Sequence, residues 1–337
     1  MEYPKFLKEH DTIGVPAPSG SAYNDIIKNR YEHAIDFWKS QGFQLELSKN
    51  LFHCVRARSA SAKERADEIN EMFQNKKIDG IICAAGGEFL VEILPYINFD
   101  IIKNNPKLIT GFSDPTGLLY PLTSKYDIAT IYGSNFSSFG AEKLFKNDTD
   151  FLEVIQGRKK EVESYDKYEE YPIEKVTGLE SNNYTEKVEW KTIDNKPVDI
   201  TGRIIGGCFD IIAELAGTKY DGIKDFNEKY KEDGIIWFFD NCELSMEETI
   251  RVLWKMNELD YFKYSKGVIF GRFGMNKTYF DYDIKSCLED SVLKDKNISI
   301  IYDADISHKP PCIPIINGSI AHVQCESGKG KIEYKLQ

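Results

Sequence analysis

Short apolar runs alternate with amphipathic stretches over the first 145 residues of the chain. Runs such as 43–48 (FQLELS) and 78–87 (IDGIICAAGG) have the length and composition of strands, and the stretches between them repeat apolar residues at helical spacing. One predicted helix stops at Gly42, and another begins at a capping box formed by Ser61 and Glu64. Strands and helices that alternate at this pitch predict an α/β fold with a parallel sheet covered on both faces.

The pattern changes after this region. Residues 146–198 are polar, charged and rich in tyrosine, and we interpret them as a connector with some local structure. Strand-like runs resume over 199–337, with an amphipathic helix at 245–259 between them, and predict a second α/β domain that is rich in β-structure near its end. The sequence therefore predicts an N-terminal domain (1–145), a connector and a C-terminal domain.

Composition supports this organisation and excludes several classes of protein. A chain of 337 residues is about twice the usual domain size, and its 42% hydrophobic and 29% charged residues are ordinary for a globular protein. The net charge of −11 argues against a nucleic-acid partner, which would require a clustered basic face. No stretch approaches the roughly 18 uninterrupted apolar residues of a membrane span, so we expect no membrane partner.

The seven cysteines are odd in number, widely spaced and without a Cys-x-x-Cys pair. This pattern predicts reduced thiols in a cytoplasmic protein and not a disulfide frame or a zinc site. The first residues, MEYPKFLKEHDTIG, lack the apolar core of a signal peptide. Neither a G-x-G-x-x-G motif nor a Walker loop occurs, so the sequence predicts no nucleotide cofactor.

Ser113 lies in the segment GFSDPTG, between a predicted strand and a stretch that opens like a helix. The carboxyl ends of strands and the amino ends of helices are where α/β proteins present nucleophiles and bind anions. Ser113 is therefore a candidate nucleophile, and the free amides of the turn that begins at Asp114 could stabilise an oxyanion. The alternative is that both residues only cap the helix, because the segment lacks the second glycine of a G-x-S-x-G elbow.

Gly86 and Gly87 end a predicted buried strand at the same edge of the sheet. A glycine pair there could bring a backbone amide close to a substrate oxygen, which makes both residues candidates for an oxyanion hole. A tight strand-to-helix turn explains the pair equally well.

A nucleophilic serine needs a base, and His308 is the best placed of the five histidines. It follows an apolar strand and precedes Lys309 and two prolines, which make the loop rigid. A structural loop histidine is the alternative.

His308 could also join Asp303 and Asp305 as a metal ligand. The two aspartates alternate on a strand, however, and no second histidine is near, so we expect no metal.

A catalytic histidine needs an acid that fixes its tautomer. Asp240 ends a buried strand, and the next helix already has a capping box of Ser245 and Glu248, so Asp240 has no evident structural task. Glu243 is the reserve candidate.

The order of serine, acid and histidine, with DADISHKPP around the histidine, resembles the LD-carboxypeptidase family of serine peptidases. That family includes murein tetrapeptide carboxypeptidases and microcin C self-immunity proteins. Matching blocks occur in the right order over nearly the whole chain, among them AAGGEFLVEILPYI, ATIYGSNFSSFG, GRIIGGCFDIIAELAGTKYD and EDGIIWFFDNCELS.

The resemblance implies a homodimer. It also implies that, in each chain, a β-rich C-terminal domain closes over a Rossmann-like N-terminal domain. It also implies roles for six residues: Ser113 as nucleophile, Asp240 as acid, His308 as base, and amides around Gly86, Gly87 and Asp114 as the oxyanion hole.

Two points stay open. The family places a glutamate where this chain has Asp240, whose side chain is shorter by about 1.5 Å. The backbone could compensate for the shorter side chain, or Glu243 could substitute for Asp240. Otherwise the protein could be a slow enzyme or only a binding protein. The substrate could be a murein peptide or an aminoacyl nucleotide. For the nucleotide, Trp190 is a candidate aromatic platform, unless it only packs the connector onto a domain.

Overall fold

The computed structural model describes residues 1–336, and within them the chain forms two large sheets and one two-stranded sheet. The α-helices in this part of the chain are α1 (Asp25–Ser40), α2 (Ala62–Gln74), α3 (Phe99–Asn104), α4 (Thr116–Ser124), α5 (Lys146–Ile155), α6 (Phe209–Leu215), α7 (Ile223–Lys229), α8 (Met246–Glu258) and α9 (Ile284–Glu289). The strands are β1 (Thr12–Val15), β2 (Gln44–Leu47), β3 (Gly80–Ile82), β4 (Leu108–Gly111), β5 (Thr130–Tyr132), β6 (Glu161–Glu163), β7 (Lys167–Tyr168), β8 (Glu186–Lys187), β9 (Lys191–Thr192), β10 (Val198–Cys208), β11 (Ile235–Asp240), β12 (Ser265–Gly271), β13 (Ser299–Ala304), β14 (Ile315–Asn317), β15 (Ile320–Glu326) and β16 (Lys329–Lys335). Short 3₁₀ helices cover Leu90–Tyr96, Phe136–Gly140 and Val292–Asp295.

The first sheet has the strand order β14-β5-β4-β3-β1-β2. Its five N-terminal strands are parallel, with helices between them in the chain, as the alternating pattern predicts. The sixth strand, β14, comes from the far end of the chain and pairs antiparallel with β5. The carboxyl ends of β3, β4 and β5 lie side by side at one edge.

The second sheet has the strand order β6-β16-β15-β10-β11-β12-β13-β9. Strands β10 to β13 are parallel, and antiparallel strands extend the sheet on both sides. The predicted α/β class, with a parallel first sheet and a β-rich C-terminal part, is confirmed. The segment 146–198 contains α5 and places β6 and β9 at the two edges of this second sheet.

Helix α4 lies where the two sheets meet, and all of its residues are buried. Its sequence, TGLLYPLTS, has no charged residue, and a helix that is apolar around its whole circumference is stable only inside a protein. The hydroxyl of Thr116, at the start of α4, accepts a hydrogen bond of 2.9 Å from the Cys208 N–H at the end of β10. The helix that follows Ser113 is therefore anchored directly to the second sheet.

The cysteines and the longest helices bear on two expectations from composition. All seven cysteines are free thiols. No helix within residues 1–336 has both the length and the apolar composition that crossing a membrane requires.

Candidate active site

Ser113 occupies a sharp turn between the end of β4 and the start of α4. Its φ angle is +71°, a left-handed conformation that residues with a side chain rarely adopt. Strained backbone of this kind is typical of a nucleophile elbow, in which a strand-to-helix turn holds a serine out from an α/β sheet. The segment therefore forms an elbow-like turn even though it lacks the second glycine of the motif.

The side chains of Ser113 and Asp114 do not cap α4, whose amino end has no side-chain capping hydrogen bond. Asp114 is buried, and its carboxylate accepts hydrogen bonds from Ser19 Oγ and, at 2.9 Å, from the Leu90 N–H. Burial raises the pKa of Asp114, while these donors and nearby Arg65 favour the charged form. The capping alternative is thus wrong, and Asp114 instead ties together the loops around Ser113.

The imidazole of His308 lies between Ser113 and Asp240. Its Nε2 is 2.8 Å from Ser113 Oγ, and its Nδ1 is 2.9 Å from Asp240 Oδ1. When Nδ1 carries a proton and donates it to the carboxylate, Nε2 is free to accept the proton of the serine hydroxyl. The fold thus brings the three predicted side chains into one hydrogen-bonded chain. Ser113 follows β4 of the first sheet, Asp240 ends β11 of the second sheet, and His308 lies in the loop after β13.

Arg272, whose side chain is buried, fixes the loop that carries His308. Arg272 Nη2 donates to the carbonyl oxygens of Lys309 and Pro311, at 3.0 Å each. Its Nη1 forms an ion pair of 2.6 Å with Asp305. Because each guanidinium contact fixes a different part of the loop, the imidazole is positioned before any ligand arrives.

Asp240 ends β11 and is completely buried. Its Oδ1 accepts from the His308 N–H at 3.1 Å as well as from Nδ1, and its Oδ2 accepts from the Tyr132 hydroxyl at 2.6 Å. The aspartate therefore reaches the imidazole despite being shorter than the family's glutamate.

The reserve candidate Glu243 is exposed, and within residues 1–336 its side chain makes no hydrogen bond to His308. It is not the acid of this arrangement.

The ionisation of His308 is strongly perturbed by its surroundings. Burial disfavours the charged imidazole, but the Asp240 carboxylate favours it, and the pKa of His308 rises well above 6.5. A histidine acts as a base only when it is neutral. We therefore expect base-dependent chemistry at this site to increase as the pH rises above 6.5.

The N–H groups of Gly86, Gly87 and Asp114 donate to no acceptor within the described part of the chain. Gly86 lies against the serine, since a Cβ on Gly86 would be 3.0 Å from Ser113 Cβ. A Cβ on Gly87 would be 2.8 Å from Gly20 N, so only glycine fits there. The predicted oxyanion-hole residues therefore offer unused donors. Gly86 lies against the serine, and Asp114 follows it in the chain at the amino end of α4.

Tyr132 is a site residue that the sequence interpretation missed. Its hydroxyl contacts Asp240, and it also accepts a long hydrogen bond of 3.4 Å from the Ser113 N–H. The sequence could have indicated this residue, because Tyr132 follows an apolar run in the block ATIYG. In the structure it ends β5, the strand next to β4.

The structure corrects the prediction that Trp190 binds substrate. Trp190 is 2% exposed, and its Nε1 donates at 3.0 Å to Asp305 Oδ2 in the interior of the C-terminal part. A ring without an exposed face cannot stack on a ligand. The structural alternative, in which Trp190 packs the 146–198 segment onto the second sheet, is the one observed.

The possible metal ligands Asp303, Asp305 and His308 do not converge. Asp303 forms an ion pair of 2.8 Å with Lys191, Asp305 is paired with Arg272, and His308 is engaged by the serine and Asp240. No group of three or more His, Cys, Asp or Glu side chains among residues 1–336 is arranged to hold a metal ion.

The fold and the site together define an α/β protein of two sheets with a Ser–His–Asp arrangement where the sheets meet. A family model described as the LD-carboxypeptidase N-terminal domain matches residues 13–133, and one described as the LD-carboxypeptidase C-terminal domain matches residues 201–323. The chain belongs to the LD-carboxypeptidase family.

Individual relatives agree with this assignment. A Vibrio cholerae protein named "Putative carboxypeptidase VC_A0337" is 28% identical over 333 residues, which cover 93% of this chain and 92% of the relative. The microcin C7 self-immunity protein MccF of Escherichia coli is 29% identical over 215 residues, or 62% of each chain. The crystal structure of an MccF-like protein from Bacillus anthracis has a TM-score of 0.85 at 24% identity and covers the whole of both chains, which shows a shared fold.

Proposed function

We propose that this chain is a serine carboxypeptidase that hydrolyses the L,D-amide bond to a terminal D-alanine in murein tetrapeptides. The main support is the 2.8 Å contact between Ser113 Oγ and His308 Nε2, on an imidazole whose other nitrogen is engaged by Asp240. Membership of the LD-carboxypeptidase family supports the choice of bond.

In the proposed reaction, His308 accepts the hydroxyl proton as Ser113 Oγ attacks the carbonyl carbon next to D-alanine. The negative charge that develops on the carbonyl oxygen is stabilised by the unused N–H groups of Gly86, Gly87 and Asp114. The imidazolium then gives its proton to the amine of the leaving D-alanine. Water, activated by the same histidine, hydrolyses the acyl-enzyme and regenerates the serine.

An aminoacyl nucleotide is the second candidate substrate, because part of the chain is similar to a microcin C7 self-immunity protein. Trp190, the candidate platform for the base of such a substrate, is buried. The murein peptide is therefore the better-supported substrate.

Mass spectrometry of two parallel digests separates these substrates. The purified protein is incubated with a murein tetrapeptide and, separately, with an aminoacyl sulfamoyl adenosine. We expect loss of one D-alanine from the tetrapeptide, no change in the adenosine compound, and no activity from a Ser113→Ala variant. Cleavage of the adenosine compound alone would assign the second substrate.

A binding protein without turnover is the alternative from another functional class. Covalent labelling with a fluorophosphonate probe tests it, because only an activated serine reacts. We expect labelling that Ser113→Ala abolishes. Binding of the tetrapeptide by an unreactive wild-type protein would favour the binding role. The reach of Asp240 to His308, at 2.9 Å, supports the enzyme.

The oligomeric state and the cellular location of the protein are also part of the proposal. We propose a cytoplasmic homodimer, in line with the family resemblance and the free thiols. Light scattering of the purified protein measures the oligomeric state, and a mass of about 39 kDa, that of one chain, would contradict the dimer.

A further inference from the structure

The hydroxyl of Tyr132 connects the two halves of the active site. Tyr132 ends β5 in the first sheet, is completely buried, and donates a hydrogen bond of 2.6 Å to Asp240 Oδ2 in the second sheet. The same oxygen accepts the 3.4 Å hydrogen bond from the Ser113 backbone N–H. One atom thus contacts both the elbow that carries the nucleophile and the acid that orients the base.

The contacts of Asp240 explain why this hydroxyl matters. Oδ1 already accepts from the backbone N–H and the Nδ1 of His308, and within residues 1–336 Tyr132 is the one hydrogen-bond donor to Oδ2. A carboxylate that is bound at a single oxygen can rotate about its last side-chain bond, and a buried acceptor without a donor is unfavourable. A donor at the second oxygen fixes the plane of the carboxylate and therefore the direction in which Oδ1 meets the imidazole.

We propose that Tyr132 is a positioning residue for catalysis, whose hydroxyl fixes the Asp240 carboxylate and, through it, the His308 imidazole; this inference rests on the proposed serine-hydrolase function. Tyr132 acts through Asp240 and does not touch the reacting atoms. Because the contact crosses from the first sheet to the second, the triad is complete only when the two halves of the protein are correctly packed.

The surroundings of Tyr132 keep the phenol in the form that this role requires. Burial raises the pKa of Tyr132 well above its usual value of 10, and the charge of Asp240 acts in the same direction. The hydroxyl therefore remains protonated, and a hydrogen-bond donor, over the pH range in which a histidine base works.

Removing the hydroxyl should change the titration of His308. Without its second donor, Asp240 would direct more of its negative charge at the imidazole, which favours the charged ring. We therefore expect the apparent pKa of His308 to rise in Tyr132→Phe. Looser packing that admits water to the imidazole raises this pKa too, because burial lowers it, so a variant that keeps the ring packed is also required. Removing the charge, as in Asp240→Asn, should shift this pKa in the opposite direction.

Tyr120 provides a matched control. It is also a completely buried tyrosine on the first half of the chain, and its hydroxyl donates at 3.0 Å to an aspartate of the second half, Asp221. Tyr120→Phe thus also removes a tyrosine hydroxyl that donates to an aspartate of the other half of the chain. This hydroxyl does not contact His308 or Asp240.

The test measures the rate of fluorophosphonate labelling of the wild type, Tyr132→Phe and Tyr120→Phe as a function of pH. For Tyr132→Phe we expect labelling about 10- to 100-fold slower at neutral pH, because misplacement of the base is costly, and an acid limb shifted upward by roughly half a pH unit. Tyr120→Phe should keep the wild-type acid limb, whatever its effect on thermal stability.

Each outcome has a distinct meaning. A Tyr132→Phe profile equal to that of Tyr120→Phe overturns the positioning role and leaves the serine hydrolase intact. A wild-type protein that never labels overturns the hydrolase and the positioning role together. 3-Fluorotyrosine at position 132 keeps the ring packed, and it also serves if Tyr132→Phe does not fold. Its more acidic hydroxyl is a stronger donor to Asp240, so the acid limb should move to lower pH, and an unchanged limb overturns the inference.

Discussion

Replacing Asp240 with asparagine removes one charge from the centre of the site and keeps nearly the same shape. The carboxylate serves His308 through Oδ1 and Tyr132 through Oδ2. An asparagine can keep its oxygen toward His308 only if its NH₂ group faces the Tyr132 hydroxyl, which then loses its acceptor. In the opposite orientation, two donors of His308 meet the NH₂ group. Either orientation removes the charge and weakens the fixed tautomer.

The size of the effect follows from the geometry. The charge that develops on the imidazole in the transition state lies beside Asp240 Oδ1, 2.9 Å from Nδ1. An opposite charge at about 4 Å is worth about 4 kcal/mol at the effective dielectric of a partly buried pair, or about three powers of ten in rate. Replacing the acid of a serine-peptidase triad by its amide costs about four powers of ten. We therefore expect Asp240→Asn to be slower by roughly 10³- to 10⁴-fold.

The pH profile gives the sign of the electrostatic contribution. In the wild type the pKa of His308 is raised above 6.5, so the labelling rate should climb as the pH rises above 6.5 and the imidazole becomes neutral. Asp240→Asn removes the charge that opposes the effect of burial, so the pKa of His308 should fall and the acid limb should move to lower pH.

The assay is the pH dependence of the second-order rate of fluorophosphonate labelling, with D-alanine release measured in parallel. Asp221→Asn is the matched control. Like Asp240, Asp221 accepts hydrogen bonds at both carboxylate oxygens, in its case from two tyrosine hydroxyls at 3.0 and 2.9 Å, but it lies outside the site. A folded Asp240→Asn protein that labels at the wild-type rate, with the wild-type acid limb, would refute the role given to this carboxylate.

Three further changes have expected outcomes. Ser113→Gly should abolish labelling yet relieve about 1 kcal/mol of left-handed strain, and so raise the melting temperature by about 2 °C in a thermal scan; a lower melting temperature would contradict the strain. Trp190→Phe should lower the free energy of unfolding by about 2 kcal/mol in denaturant titrations, because Asp305 loses a charge-assisted hydrogen bond, while KM stays unchanged. Dialysis against a chelator should leave D-alanine release intact, because Asp303 and Asp305 are held in ion pairs; loss of activity that added metal restores would contradict this.

The parts of the site that could be predicted are those that local sequence determines. Ser113, Asp240 and His308 each follow an apolar run that becomes a strand, and the carboxyl ends of parallel strands gather at one edge of a sheet. The sequence could therefore nominate these residues, and the structure shows the hydrogen bonds between them; their catalytic roles remain the proposal made above.

The parts that sequence could not predict depend on contacts between distant segments. Trp190 lies in a charged stretch that suggests an exposed residue, yet it is buried because it meets Asp305, 115 residues further along the chain. The edge positions of β6 and β9 are decided by pairing with β16 and β13, and nothing local in two- or three-residue strands specifies those partners. The role of Tyr132 is invisible until the two sheets are packed.

Strand β14 has a consequence for how this protein is made. The first sheet, which carries Ser113, is completed by Ile315–Asn317, which follow strands β10 to β13 of the second sheet in the chain. On the ribosome, the outer edge of β5, the strand with Tyr132, therefore stays without its partner until those strands have been synthesised. Truncation just before residue 315 should accordingly leave a sheet edge open to aggregation.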